Sequence, residues 1–260
     1  MKIHVESGDS PLVLAQPHGG TEIPSDIHRR LNDTGKALED TDWHISRLYQ
    51  GLLDNATVVS TPIHRYVIDA NRNPSDESLY PGQKTTSLCP TTTFDGNPIY
   101  RDGREPDLAE IRERQQKYHQ PYHDALTEQL ERVHQNHGYV VLYDCHSIRS
   151  QVPYLFDGKL PDFNIGTNGG VSCDPGIESS VVDICARATH FTHVVNGRFK
   201  GGWTTRHYGD PSRGYHAIQM ELAQCNYMTE KPPWHYNVAA AKRLRETLGE
   251  ILSAVLARVD

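Results

Sequence analysis

A chain of 260 residues is long enough for one substantial α/β domain with its own core, read here as a single domain over residues 1–260. With 37% hydrophobic residues and no run near the roughly 18 apolar residues of a membrane span, composition excludes a disordered chain and a transmembrane helix. A net charge of −7 without any Lys/Arg-rich run argues against nucleic acid and anionic membrane surfaces as partners.

The N-terminus, MKIHVESGDSPLVLAQP, lacks a charged segment followed by a long apolar stretch, so no signal peptide is read and a cytoplasmic location is expected. Residues 11–17 (PLVLAQP) read as a buried strand that runs into a Gly-rich loop. From Trp43 to Leu53 the apolar residues Ile45, Leu48, Tyr49, Leu52 and Leu53 trace a helix face, with Asp42 as its N-cap. Strands are expected at Thr57–Ser60 and Tyr66–Ala70. Asn71 to Glu105 is rich in Pro, Gly, Thr and Ser, and a loop of that length is usually functional. Pro106 to His137 reads as helix, broken or kinked at Pro121 and capped by Gly138, before a strand at Tyr139–Tyr143. A helix at Ile177–Thr189 and a strand near Thr192–Val195 follow. A second Gly-rich segment spans Gly197–Gly214, then a strand at Tyr215–Leu222 and a closing helix at Tyr236–Arg258. Alternating strands and helices predict an α/β fold with a central mixed, mostly parallel sheet flanked by helices.

Five cysteines (Cys89, Cys145, Cys173, Cys185 and Cys225) include no C-x-x-C pair, which argues against a disulfide framework or a four-cysteine zinc site. Fifteen histidines stand out. Most are expected to be surface or hydrogen-bonded core residues, and a few to be ligands.

Three chemistry-bearing side chains fall near predicted strand ends: His18, His146 and Glu221. Open α/β sheets bind ligands in the crevice outside those ends. His18 and Glu22, in HGGTE, can reach one metal if the turn enters a helix; otherwise they mark a Gly-rich turn. His146, in DCHS, supplies a third ligand, with Asp144 on the same side of the strand to orient it; alone, the two would be a hydrogen-bonded Asp–His pair. Two histidines and one glutamate leave a fourth zinc position open, as catalytic sites require. Cobalt, manganese or iron suits the same donors. Glu221 sits in an otherwise apolar strand, either as a general acid/base of raised pKa or as half of a structural ion pair. Arg65, Arg72 and Arg206 lie beside strand ends or Gly-rich loops. There, guanidinium groups can clamp carboxylates or steady an oxyanion, and Asn71 with Arg72 can hold one carboxylate together. For each arginine the bland alternative is a surface ion pair. Cys145 and His146 face opposite sides of their strand and make no nucleophile–base pair. The chain has no G-x-S-x-G elbow and no phosphate-binding loop.

The ordered set PHGGTEIP from Pro17, TDWH from Thr41, RYVIDANR from Arg65, SLYPGQ from Ser78, LCPTTTFDG from Leu88, DCHSIRS from Asp144, NGRFKGG from Asn196, TRHYG from Thr205 and QMELAQ from Gln219 resembles the N-formylglutamate amidohydrolase family over nearly the whole chain. The resemblance implies a phosphorylase/hydrolase-like α/β fold related to zinc carboxypeptidases. It also implies hydrolysis of N-formyl-L-glutamate to formate and L-glutamate in histidine degradation. By the carboxypeptidase analogy, His18, Glu22 and His146 match metal ligands, Glu221 the general base, and Asn71 with Arg72 the carboxylate-recognition pair. Arg72 or Arg65 would steady the oxyanion, and Arg206 would help hold the glutamate carboxylates. The alternatives are an aspartoacylase-like deacylase of another N-acyl amino acid, a non-catalytic dicarboxylate-binding module, and a purely structural interaction protein.

Overall fold

The computed structural model describes residues 2–77 and 85–257. The segment from Ser78, the middle of the predicted 71–105 loop and Arg258 at the end of the predicted last helix lie outside them. Seven strands form one mixed sheet: β1 (His4–Glu6), β2 (Leu12–Gln16), β3 (Thr57–Ser60), β4 (Val140–Ile148), β5 (Phe163–Gly166), β6 (His193–Val195) and β7 (Tyr215–Ala223). Their spatial order is β1-β3-β2-β4-β7-β5-β6. The centre β3-β2-β4-β7 is parallel, β1 and β5 each pair antiparallel with a neighbour, and β6 runs parallel to β5.

β2 and β4 are buried along their whole length because helices cover both faces of the sheet. Successive side chains then serve different cores. Leu12, Leu14, Tyr143, Cys145, Ile218 and Met220 pack in the larger one, and Val13, Ala15, Leu142 and Ala217 in the other. The larger core is closed by α6 (Pro175–Arg187) and α8 (Val238–Ala257), which bring Val181, Ile184, Leu244, Leu248 and Ile251. Each such side chain contributes about 1.5–3 kcal/mol by leaving water. The second face is covered by α5 (Gln120–His137) through Tyr122, Leu126, Leu130 and Val133. Towards the C-terminal ends of β4 and β7 this second face turns polar, with Asp144, His146, Gln219 and Glu221. The parallel register sets His146 directly beside Glu221.

Several expectations change. Tyr66–Ala70 is buried but is not a strand, because both edges of β3 are already occupied by β1 and β2. The helix expected over Trp43–Leu53 is only Ile45–Tyr49. His44 takes a left-handed φ of 62° before it and Gly51 a φ of 68° after it. Asp42 caps nothing with its side chain. Pro121 neither breaks nor ends its helix. The turn Gln115–His119 widens to π geometry, where the Gln120 N–H reaches Gln115 O and absorbs the hydrogen bond that proline cannot donate. β1 and β5 were not expected from the sequence.

Candidate active site

His18 lies two residues past β2. The glycines after it serve close approach: a Cβ on Gly20 would sit 2.4 Å from the Pro62 backbone, and one on Gly19 would sit 2.9 Å from the Ile45 side chain. This packing turns the His18 ring inward, 3% exposed, with its Nδ1 3.1 Å from Nδ1 of His146. The third member of the group is Asp42, whose Oδ2 is 3.4 Å from His146 Nδ1 and 4.0 Å from His18 Nδ1. Behind each ring stands a buried carboxylate. His18 Nε2 donates to Asp69 Oδ1 at 2.7 Å, and His146 Nε2 lies 3.0 Å from Asp144 Oδ2. Arg65 is held by Asp69 at 3.0 Å and by Asp42 at 3.7 Å, with its Nη2 3.0 Å from His18 Nδ1 and the Phe94 ring against its guanidinium.

The electrostatics follow from these contacts. Burial depresses His18 and Arg65 depresses it further, against Asp69 and Asp42. Burial also opposes charge on His146, yet Asp144 and Asp42 hold it well above the ordinary imidazole range. Asp69 is desolvated but kept ionised well below the usual carboxylate range by His18 and Arg65. Glu221 has no such partner, so burial pushes it up to about 8, opposed by His146 and Arg65 and reinforced by Asp42 and Asp144.

Does this donor set suit a divalent cation? Two Nδ1 atoms and one carboxylate oxygen within 4 Å of one another have the spacing of three corners of a tetrahedral site, about 3.3 Å for zinc–nitrogen bonds of about 2.05 Å. Each ring offers its outer nitrogen to a carboxylate, the arrangement that orients metal-bound histidines. Asp42 Oδ1 is buried without a hydrogen-bond partner. With neutral histidines, the carboxylates Asp42, Asp69 and Asp144 outnumber the guanidinium groups of Arg65 and Arg72 that pair with them, which leaves negative charge for a cation to offset. The residues fit.

The cluster opens into a pocket lined also by Asn71, Arg72, Thr86, Phe94, Arg198 and Gln219. Arg72 donates to Thr86 Oγ1 at 3.0 Å and lies 3.9 Å from Asp69. One wall is apolar, formed by Phe94, Ile148, Leu155 and Phe199.

Of the expected site residues, the structure brings His18, His146, Glu221, Asp144, Arg65, Asn71 and Arg72 together. Glu22 is a correction. The chain after His18 does not enter a helix but stays extended, and Glu22 forms a bridge with Ile63 on the exposed surface, away from this pocket. The carboxylate that completes the group with the two histidines is Asp42, whose place before Trp43 suggests a helix cap. Arg206 sits on α7 (Trp203–Tyr208) with its Nε bonded to Gly201 O at 3.0 Å, and among the described residues Arg198, not Arg206, lines the pocket. Asp69 was missed as well. Its position four residues after Arg65, in RYVIDANR, was the available signal.

An α/β sheet with a buried His–Asp–His centre and a raised carboxyl at its C-terminal edge defines a hydrolase-type architecture. Residues 10–228 match the N-formylglutamate amidohydrolase family, and the chain belongs to that family. It is 45% identical over 251 residues to the N-formylglutamate deformylase of Pseudomonas aeruginosa, covering 96% of this chain and 94% of the relative, and equally to that of Pseudomonas putida. The crystal structure of N-formylglutamate amidohydrolase from Ralstonia eutropha JMP134 superposes with a TM-score of 0.79 at 26% identity, covering 97% of this chain and 96% of that one. The gene product Atu2144 of Agrobacterium tumefaciens shares the fold, with a TM-score of 0.70 at 20% identity over 98% of this chain and 94% of its own. Among the described residues, no helix is long and apolar enough to cross a membrane.

Proposed function

We propose that this chain is a single-domain, cytoplasmic amidohydrolase that hydrolyses N-formyl-L-glutamate to formate and L-glutamate with the help of one divalent cation, zinc by donor type. The observation that carries the reading is the His18–Asp42–His146 triangle with Glu221 beside it, in a chain 45% identical to N-formylglutamate deformylases. His18, Asp42 and His146 would hold the cation. When bound there, a divalent cation supplies Lewis acidity, which polarises an amide carbonyl and makes an attacking water more acidic. Asp69 accepts from His18, and Asp144 stands against the outer nitrogen of His146, so each carboxylate helps orient its ring.

Glu221 takes the proton of the attacking water and delivers it to the departing amine nitrogen, which leaves poorly as an anion. A carboxyl whose proton affinity is raised by burial suits both halves of that transfer. Arg65, already fixed by two carboxylates, is placed to steady the oxyanion. Arg72 and Arg198 face the same pocket and suit the two substrate carboxylates, with Asn71 beside them. The apolar wall of Phe94, Ile148, Leu155 and Phe199 keeps bulk water from the reacting carbon.

Formate release from N-formyl-L-glutamate, measured with and without chelator alongside metal analysis, tests this reading. Glu221→Gln is expected to lower turnover by about 10²–10⁴-fold with metal content intact. Near wild-type turnover in that variant would remove Glu221 from the mechanism. Faster release of acetate from N-acetyl-aspartate than of formate from N-formyl-L-glutamate would favour the aspartoacylase-like alternative.

A further inference from the structure

We infer that the turn at the start of α7 sets the orientation of two carboxamides, Gln219 and Asn71, and that Gln219 is thereby a positioning residue for Glu221. This rests on the proposed role of Glu221 and extends it to Gln219, which no part of that mechanism uses.

A carboxamide has one accepting and one donating end, and its neighbours decide which faces where. Here backbone N–H groups decide both cases. The Gly202 N–H donates to Gln219 Oε1 at 2.7 Å, and the Thr204 N–H donates to Asn71 Oδ1 at 2.8 Å. The NH₂ ends therefore face the buried acids. Gln219 Nε2 donates to Glu221 Oε2 at 3.2 Å. Asn71 Nδ2 faces the His146–Asp144 pair, 3.5 Å from Asp144 Oδ2 and 3.0 Å from His146 Nε2. One short turn is thus bonded to the side chain beside the base and to the side chain beside a candidate metal ligand.

Sterics point the same way. A Cβ on Gly202 would lie 2.4–2.7 Å from the atoms of the Asn71 carboxamide, so only glycine allows the turn to approach this closely. Gln219 is 4% exposed and Glu221 is 7% exposed, so water does not readily replace the bond between them. Residues two apart on β7 share a face, which is why the carboxamide and the carboxyl meet. A base that must first accept a proton and then deliver it to a different atom gains from a fixed carboxyl plane. A misplacement of about 1 Å can cost about a hundredfold.

The test is Gln219→Met, which keeps the volume and loses the donor. Turnover is expected to fall about 10- to 100-fold with KM within about threefold and metal content unchanged. Gly202→Ala perturbs the same clamp from outside, at Asn71 as well as at Gln219, and should lower turnover at least as much. Because the Gln219 contribution is already lost in Gly202→Ala, the double variant should lose little more than the worse single variant. A second arm needs no substrate: in nitrogen-15 NMR spectra, the side-chain NH₂ protons of Gln219 should exchange slowly in the wild-type protein and faster in Gly202→Ala. Wild-type kcat in Gln219→Met, losses that multiply in the double variant, or rapid Gln219 NH₂ exchange in the wild-type protein would each overturn the inference. Absence of formate release by the wild-type protein would instead overturn the functional reading and leave the NMR arm standing.

Discussion

Two pairs of buried histidines flank the same short segment, Asp69 to Arg72. His18 and His146 have ring centroids 4.9 Å apart, and His119 and His123 have theirs 4.4 Å apart. All four are at most 6% exposed. By proximity and burial they are alike, yet their surroundings differ. The outer nitrogens of the first pair meet the carboxylates Asp69 and Asp144, which turns both Nδ1 atoms towards Asp42. In the second pair, Nε2 of His119 donates to Arg72 O at 3.0 Å and Nε2 of His123 donates to Ala70 O at 2.8 Å, while His123 Nδ1 accepts from the Tyr208 hydroxyl at 3.0 Å. Neutral partners leave neutral rings: burial lowers His119, and lowers His123 to about 3. A buried histidine pair is therefore a candidate metal centre because of what stands behind it. Carboxylates prepare the rings for a cation, and carbonyls make them struts for the backbone.

The largest effect that can break this contrast is His146→Ala against His123→Ala. The first is expected to abolish stoichiometric metal and to lower formate release by roughly three orders of magnitude, as loss of a Lewis acid worth several kcal/mol requires. The second should keep its metal and lose stability instead. Elemental analysis of both variants decides the matter, and metal loss from His123→Ala would erase the distinction. Asp69→Asn leaves every candidate ligand in place and weakens the carboxylate that stands behind His18 and holds Arg65. Metal affinity or activity should fall about 10- to 100-fold, read by competition with a chelating dye.

The third effect concerns pH. The His123 pKa in the folded protein, about 3, lies below its unfolded value of about 6.5. The unfolded chain therefore binds the extra proton in that interval, and stability rises with pH across it. The contribution of a neutral His123 is complete above about pH 6.5 and is lost as pH falls towards 3, by at most about 1.4 kcal/mol per pH unit. Urea unfolding at stepped pH should show a shallower acid-side loss in His123→Gln than in the wild-type protein. An identical slope would mean that His123 is not held neutral. The smallest expected effect is Glu22→Gln, which should leave metal content and turnover within about twofold, because Glu22 is exposed and is held through its backbone by Pro62 and His64. A large loss there would return Glu22 to the site.

Much of the fold is legible in the residues. Thr57–Ser60 is a strand with the expected bounds, and the runs expected at 11–17, 139–143 and 215–222 join it in the parallel core, the second continuing as a strand to Ile148, since only strands covered on both faces tolerate such continuous burial. Tyr66–Ala70 looked similar and is not a strand. Local composition does not register that both edges of β3 are already taken. The cysteines behave as expected too: Cys145 points into the larger core, where burial raises its thiol well above the usual range, back to back with His146.

Site legibility follows the same division. His146, Asp144 and Glu221 are placed by period-two alternation in long strands, so their mutual geometry is a local property plus one register. Asp42 and Asp69 reach the centre from irregular segments, where neither spacing nor periodicity states a direction. The H-x-x-x-E spacing of His18 and Glu22 suggests a shared turn, but the close approach of Gly20 to Pro62 draws the chain out straight. Residue pattern alone specifies the central parallel strands and the strand-borne half of the site, because these depend on contacts a few residues apart. Only tertiary packing decided which carboxylate stands beside the histidines. Side chains from loops acquire a direction only when distant backbone closes around them.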